Sequence, residues 1–116
     1  MRITQVSFRC HKNSHSIPQE MTSIPKGIFD NCTSVKDISV PNSVKNIDNY
    51  AFLGCSQLNK IKLPQTLKSI GSYAFYGCSL LTFINIPSSM KKINPYSFSR
   101  CISLNQIKIP NSIEMI

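Results

Sequence analysis

The chain has 116 residues, of which 41% are hydrophobic and 16% are charged, and its 13 Lys and Arg against 5 Asp and Glu give a formal net charge of +8. This length predicts a single domain with room for a buried core, and the chain has neither an apolar run long enough for a membrane helix nor one typical of a secretion signal. These values exclude a membrane-embedded protein, a disordered tail and a multi-domain enzyme.

A 23-residue repeat organises most of the sequence. Phenylalanine, cysteine and proline recur at this spacing, and isoleucine, leucine and valine fill further columns. Because a unit this short cannot bury its own apolar face, neighbouring units are expected to stack around one continuous core. The recurring positions are Phe29, Phe52, Phe75 and Phe98, then Cys32, Cys55, Cys78 and Cys101, and Pro18, Pro41, Pro64, Pro87 and Pro110.

Residues 1–16 come first and depart from the repeat. Cys10 lies eight residues before Pro18, whereas Cys32 lies nine residues before Pro41. We predict a degenerate coil or a makeshift cap over residues 1–16. A repeat solenoid is predicted over residues 17–116, with about four and a half units and the last one incomplete.

Within one unit, residues 58–63 end in the alternation Ile-Lys-Leu, which predicts a short strand with Ile61 and Leu63 facing inward. Pro64 ends that strand because proline cannot donate to a ladder. Residues 67–70 predict a second short strand. Residues 71–78 predict one helical turn, since the equivalent entry and exit positions carry Asp, Asn and Gly.

The end of the sequence, residues 113–116, stops in mid-repeat at a core position. Solenoids need polar caps over their last core layer. We therefore expect either a fragment of a longer array or a protein that associates with itself through this uncapped end.

The pattern Leu-x-x-Ile-x-Ile-Pro-x-Ser-Val-x-x-Ile-x-x-x-Ala-Phe-x-Gly-Cys resembles the BspA-like, or Treponema pallidum-type, leucine-rich repeat. Residues 42–55 match it almost completely, and the likeness runs from about residue 17 to residue 116. The resemblance implies an α/β repeat solenoid: a right-handed, curved coil with parallel strands on its concave side and one-turn helical segments. It also implies a role in protein binding, often in surface adhesion.

The cysteines favour a structural interpretation. Four of them share one repeat phase, where identically placed side chains do not aim their sulfurs at one another, so we predict reduced core thiols rather than a disulfide ladder. A metal site formed by Cys10, His11 and His15 is a weaker alternative, and no metal or cofactor is predicted.

No catalytic constellation is visible. The five acidic residues fall at five different repeat phases, no histidine follows His15, and there is no phosphate-binding glycine motif. We therefore predict that the chain is not an enzyme.

The positive charge maps onto two strips that border the repeat proline. One strip follows the first strand and the other follows the proline turn, and each carries four lysines against one acid. Lysines on exposed strands also serve solubility and oppose edge aggregation. Without arginine, and with one aromatic side chain, the surface does not fit specific base recognition.

We predict a non-catalytic protein-binding module that recognises its partner through this basic and polar strand face. The alternatives are a scaffold fragment that self-associates through its uncapped end, and a weak, non-specific binder of polyanions. The absence of a secretion signal and the cysteines predicted to be unpaired favour the cytoplasm, whereas the resemblance favours the cell surface. The predicted partner-binding residues are Lys36, Lys60, Lys62, Phe83, Asn85 and Lys108, flanked by Lys45, Lys68 and Lys91.

Overall fold

The computed structural model describes residues 17–111 and Ile113. Short strands recur in pairs along the chain, one of three residues and one of two in each complete coil, at the spacing that the repeat predicts. The strands are β1 (Ser23–Ile24), β2 (Asp37–Ser39), β3 (Asn46–Ile47), β4 (Lys60–Lys62), β5 (Ser69–Ile70), β6 (Phe83–Asn85), β7 (Lys92–Ile93) and β8 (Gln106–Lys108).

The strands form two parallel sheets. One has the order β1-β3-β5-β7 and the other the order β2-β4-β6-β8, so every strand pairs with its equivalent one repeat away. In the second sheet, Asp37 pairs with Lys60, and Lys60 pairs with Phe83. The predicted parallel-strand solenoid with a 23-residue period is confirmed.

The core is built from columns of identical or similar side chains. The phenylalanine column forms a continuous stack in which Phe29 and Phe52 lie 5.1 Å apart, Phe52 and Phe75 5.2 Å, and Phe75 and Phe98 5.4 Å, measured between ring centroids. The first three of these rings are almost completely buried. Ile61 and Leu63 face the core as predicted, because alternate residues of a strand point to opposite faces.

The predicted helical turn over residues 71–78 is wrong, and the residues that the structure describes contain no helix. A helix would direct every backbone N–H to the carbonyl four residues earlier. Here the donors alternate: Ala74 N donates to Gly71 O, three residues back, whereas Phe75 N donates to Ser97 O in the next coil. The segment is therefore a run of turns that adds a third set of hydrogen bonds between coils.

In three coils the equivalent turn segment carries a tyrosine at the same position, and the resulting tyrosine column has an unusual backbone conformation. Tyr50, Tyr73 and Tyr96 have φ angles of 63°, 60° and 62°, in the left-handed region that favours glycine, and Gly27 occupies the same repeat phase in the first coil. The rings stack at centroid distances of 5.4 Å and 5.1 Å. Stacking contributes about 0.5–1.5 kcal/mol per pair, which offsets much of the backbone strain.

The cysteine thiols also link neighbouring coils. In three coils the cysteine thiol donates a hydrogen bond to the backbone carbonyl of the phenylalanine 26 residues earlier, with Sγ–O distances of 3.1 to 3.3 Å. A buried carbonyl gains a second donor in this way. The pairs are Cys55 with Phe29, Cys78 with Phe52, and Cys101 with Phe75.

Burial controls the ionisation of these thiols. Loss of solvation raises the pKa of Cys55 to about 12 and the pKa of Cys101 to about 11, and it raises the pKa of Cys78 well above its ordinary value. All three thiols are therefore protonated at neutral pH. A protonated, buried thiol is a poor nucleophile and a poor metal ligand.

The prediction of reduced thiols holds at these three free cysteines. It is wrong at Cys32, which is disulfide-bonded. The four cysteines share a repeat phase and are equally spaced, so the repeat predicts the same state for all of them. Periodicity alone could not show this difference.

The last described coil leaves apolar side chains uncovered. Ile107 shares a column with Ile84, yet Ile107 is 39% exposed whereas Ile84 is fully buried. Ile109 is 44% exposed and Ile102 is 83% exposed. Strand β8 is the last strand of its sheet among the described residues, and apolar surface is exposed beside it.

Candidate binding face

The outward surface of the sheet β2-β4-β6-β8 is the candidate binding face, and we call it the strand face. In β2, β4 and β6 the first and third residues are exposed and the middle residue is buried. Two outward columns result from this alternation. The first column contains Asp37, Lys60, Phe83 and Gln106, and the second contains Ser39, Lys62, Asn85 and Lys108.

A groove of about 490 Å³ lies on this face, and we call it the strand-face groove. Lysine, amide and hydroxyl groups contribute its polar lining, and Phe83 contributes an apolar wall that is 42% exposed. Ile61 and Leu63 line it from the core side and are almost fully buried. The complete lining is Asp37, Ser39, Lys60, Ile61, Lys62, Leu63, Gln65, Thr82, Phe83 and Asn85.

A second, smaller groove of about 310 Å³ adjoins the first at the proline turn. The two grooves share Gln65 and Asn85, so the concave surface continues from one to the other. Lys108, Pro87 and Pro110 line the second groove. The repeat prolines therefore form one side of this extension, directly after each strand of the strand face ends.

The structure brings together four of the predicted binding residues in the strand-face groove: Lys60, Lys62, Phe83 and Asn85. Lys108 lines the adjoining groove together with Asn85. The four other predicted residues are exposed but line neither groove. These four are Lys36, Lys45, Lys68 and Lys91.

The residues outside the grooves have identifiable positions in the coil. Lys36 directly precedes β2, and its carbonyl accepts hydrogen bonds from Asn59 N and Lys60 N. Lys45 and Lys68 directly precede strands of the other sheet, and Lys68 N donates to Lys45 O at 2.7 Å. The proline turn thus separates their backbone from the strand-face groove.

Sequence reasoning missed four polar groove residues, namely Asp37, Ser39, Gln65 and Thr82. Asp37 is the one acid of the charged strip that follows the first strand, and it was not among the predicted binding residues. The repeat register contains the signal that locates them, because Asp37 and Ser39 occupy the same columns as Lys60 and Lys62. Following each column through every unit would have identified both residues.

The described residues contain no group of three or more His, Cys, Asp or Glu side chains able to hold a metal ion. The alternative metal site at Cys10, His11 and His15 lies outside the residues that the structure describes. In residues 17–111 there is likewise no helix with the length and hydropathy needed to cross a bilayer.

Comparisons with known proteins give a consistent result. The protein-family model of the BspA-type leucine-rich repeat region matches residues 2–116 with six copies of the repeat. The match therefore includes most of residues 1–16, which were predicted as a degenerate coil or cap. Leucine-rich repeat proteins of this kind generally act in protein interaction and are typically non-catalytic. The comparison with curated proteins gives no match.

Solved structures of bacterial leucine-rich repeat proteins are similar to this chain. The Treponema pallidum leucine-rich repeat protein is 34% identical over 87% of this chain, with a TM-score of 0.84, and a Bacteroides ovatus protein is 30% identical over 86%, with a TM-score of 0.69. A leucine-rich cell surface protein from Faecalibacterium prausnitzii is 32% identical over 80%, with a TM-score of 0.56.

The chain spans 50% of the T. pallidum protein, 32% of the B. ovatus protein and 31% of the F. prausnitzii protein. The family match nevertheless covers almost the whole sequence, and the coil spacing, the parallel sheets and the stacked columns agree with it. The chain belongs to the BspA-type leucine-rich repeat family.

Proposed function

We propose that this chain is a non-catalytic protein-binding module that recognises its partner through the strand face. The observation that carries the proposal is the strand-face groove, in which Lys60, Lys62, Phe83 and Asn85 come together from two neighbouring strands. Exposed aromatic side chains are enriched at the centres of protein interfaces, and polar groups surround them at the rim. The flanking lysines Lys36, Lys45, Lys68 and Lys91 add long-range attraction for an acidic partner.

Adhesion at a cell surface is the setting that we propose for this binding. It is supported by the F. prausnitzii relative, which is described as a cell surface protein. The regular stacking of coils also suits adhesion, because each added unit extends the same binding surface.

Charge reversal on the strand face tests the proposal. Immobilised chain carrying Lys60→Glu and Lys62→Glu is expected to capture at least tenfold less of the partner than the unchanged chain, because attraction is replaced by repulsion at two adjacent positions. Affinity capture followed by quantitative mass spectrometry measures the difference.

A matched control keeps the change in net charge the same. Lys26→Glu with Arg100→Glu also reverses two cations, but Lys26 lies over the Tyr50 ring and Arg100 over the Tyr76 ring, on the turn segment. This variant is expected to capture the partner normally. Equal capture by both double variants and the unchanged chain would contradict the proposal.

Self-association through the last coil is a second candidate, favoured by the exposed Ile102, Ile107 and Ile109. A second copy packed against β8 would cover these side chains and pair the edge of the sheet. Crosslinking between two copies from position 102 is the observation that would support this candidate.

A further inference from the structure

The side chains of the strand face follow a definite order from β2 to β8. β2 contributes Asp37 and Ser39, and β4 contributes Lys60 and Lys62. β6 contributes Phe83 and Asn85, and β8 contributes Gln106 and Lys108. Negative charge therefore lies at one side, and the apolar Phe83 ring lies between strands that carry lysines. This order runs along the solenoid, across the strands.

The Phe83 ring is the apolar contact of this face. It is 42% exposed and lines the groove beside the almost fully buried Ile61 and Leu63. Its neighbours in the same outward column are Lys60 on one side and Gln106 on the other. A ligand gains most here by placing an apolar side chain against the ring, because that contact removes apolar surface from water.

The lysines define where the ligand carries negative charge. Lys60 and Lys62 lie on β4 and Lys108 lies on β8, two strand spacings apart, or roughly 10 Å. Two carboxylates at about this separation would each meet an ammonium group, with the apolar contact between them. Asp37 repels a carboxylate at the β2 side and attracts a cation there.

The spacing fits an extended polypeptide that crosses the strands. An extended chain rises about 3.3 Å per residue and sends alternate side chains to the same side. Five residues therefore place three side chains over about 13 Å, about 3 Å more than the roughly 10 Å that separates β4 from β8. The flexible lysine side chains can take up the remaining mismatch.

We propose that the strand face binds an extended acidic segment of a protein partner, with the pattern acidic-x-apolar-x-acidic, whose central side chain packs on Phe83. Its two carboxylates meet Lys60 and Lys62 at one end and Lys108 at the other, and a basic residue ahead of the segment faces Asp37. This inference rests on the proposed function and specifies the chemistry of the partner.

Fluorescence anisotropy with labelled, end-blocked peptides tests the inference. The peptide Glu-Ser-Leu-Ser-Glu is expected to bind saturably, and Gln-Ser-Leu-Ser-Gln and Glu-Ser-Ser-Ser-Glu are each expected to bind at least fivefold more weakly. In the protein, Lys62→Gln and Phe83→Ser should each weaken the binding of Glu-Ser-Leu-Ser-Glu at least fivefold. Lys26→Gln on the turn segment should leave its binding unchanged.

The contribution of Asp37 is tested separately. Extending the peptide to Lys-Ser-Glu-Ser-Leu-Ser-Glu should strengthen binding about threefold, and Asp37→Asn should remove that gain while leaving the shorter peptide unaffected. Equal gain in the Asp37→Asn variant would contradict the proposed orientation of the segment.

Two results would overturn the inference without touching the proposed function. One is the absence of saturable peptide binding by a chain whose partner capture still depends on Lys60 and Lys62. The other is equally tight binding of heparin or polyglutamate and of the leucine-containing peptide, which would indicate a non-specific polyanion surface. Partner capture that ignores the charge reversal would instead refute the proposed function itself.

Discussion

Replacing Phe52 by alanine is expected to lower the free energy of unfolding by about 4 kcal/mol. Phe52 is completely buried, and its ring lies between those of Phe29 and Phe75. The substitution removes the ring contacts that this coil makes with both of its neighbours and leaves a cavity in the centre of the stack. Because a repeat protein is stabilised by interfaces between adjacent units, both interfaces of this coil are weakened together.

Phe83→Ala is the matched control, because it makes the same substitution on the surface of this protein instead of in its core. Phe83 is 42% exposed and lies on the strand face, so we expect a loss below about 1 kcal/mol. Urea unfolding followed by circular dichroism measures both values. Similar losses for the two variants would contradict the assignment of the phenylalanine column as the centre of the core.

Gly71→Ala is expected to lower the free energy of unfolding by about 3 kcal/mol. A Cβ atom at this position would lie 2.5 Å from the backbone N of Asn49 and 2.7 Å from the carbonyl carbon of Asp48. Gly71 N also donates to Ile47 O at 2.7 Å, so the two coils are held close at this point. The clash is with backbone, which can be relieved only by moving one coil away from the other.

Gly27→Ala separates this steric effect from the effect of backbone conformation. A Cβ at Gly27 meets no atom within 4 Å, but the residue has a φ of 67°. The left-handed conformation alone should cost about 1 kcal/mol. Thermal unfolding of the two variants compares them, and a loss at Gly27 as large as that at Gly71 would show that the close approach of the coils is unimportant.

The strands and the core could be predicted from the sequence because both follow from the 23-residue period of the repeat. A 23-residue spacing assigns Ile38, Ile61 and Ile84 to one column, and alternation within each strand points that column inward. The same logic places Lys60 and Lys62 on the outward face. Both results depend on backbone geometry that is repeated in every coil.

The turn segment could not be predicted in the same way. Residues 71–78 have Gly at the entry, Gly near the exit and apolar residues at helical spacing, all of which favour a helix. Hydrogen bonds to the next coil override this local preference, as Phe75 N to Ser97 O shows. The positive φ of Tyr73 carries no signal in the sequence either, because tyrosine is not a residue that favours this conformation.

Only part of the candidate site could be predicted, because the repeat register does not determine the shape of the surface. Register identifies which side chains face outward, but a groove depends on the sizes of neighbouring side chains. Asn85 lines both grooves, whereas Lys45 and Lys68, which share its exposure, line neither. That Lys45 and Lys68 flank the bound partner stays a prediction.

The central claim is that the strand face is the surface that contacts the partner, and site-specific photocrosslinking tests it most directly. Benzoyl-phenylalanine is placed at position 83 on the strand face or at position 96 on the turn segment, where Tyr96 is 60% exposed. Both positions carry exposed aromatic side chains, so the probe is matched in size and access. We predict crosslinking of the captured partner from position 83 and none from position 96; crosslinking from position 96 alone would contradict the claim.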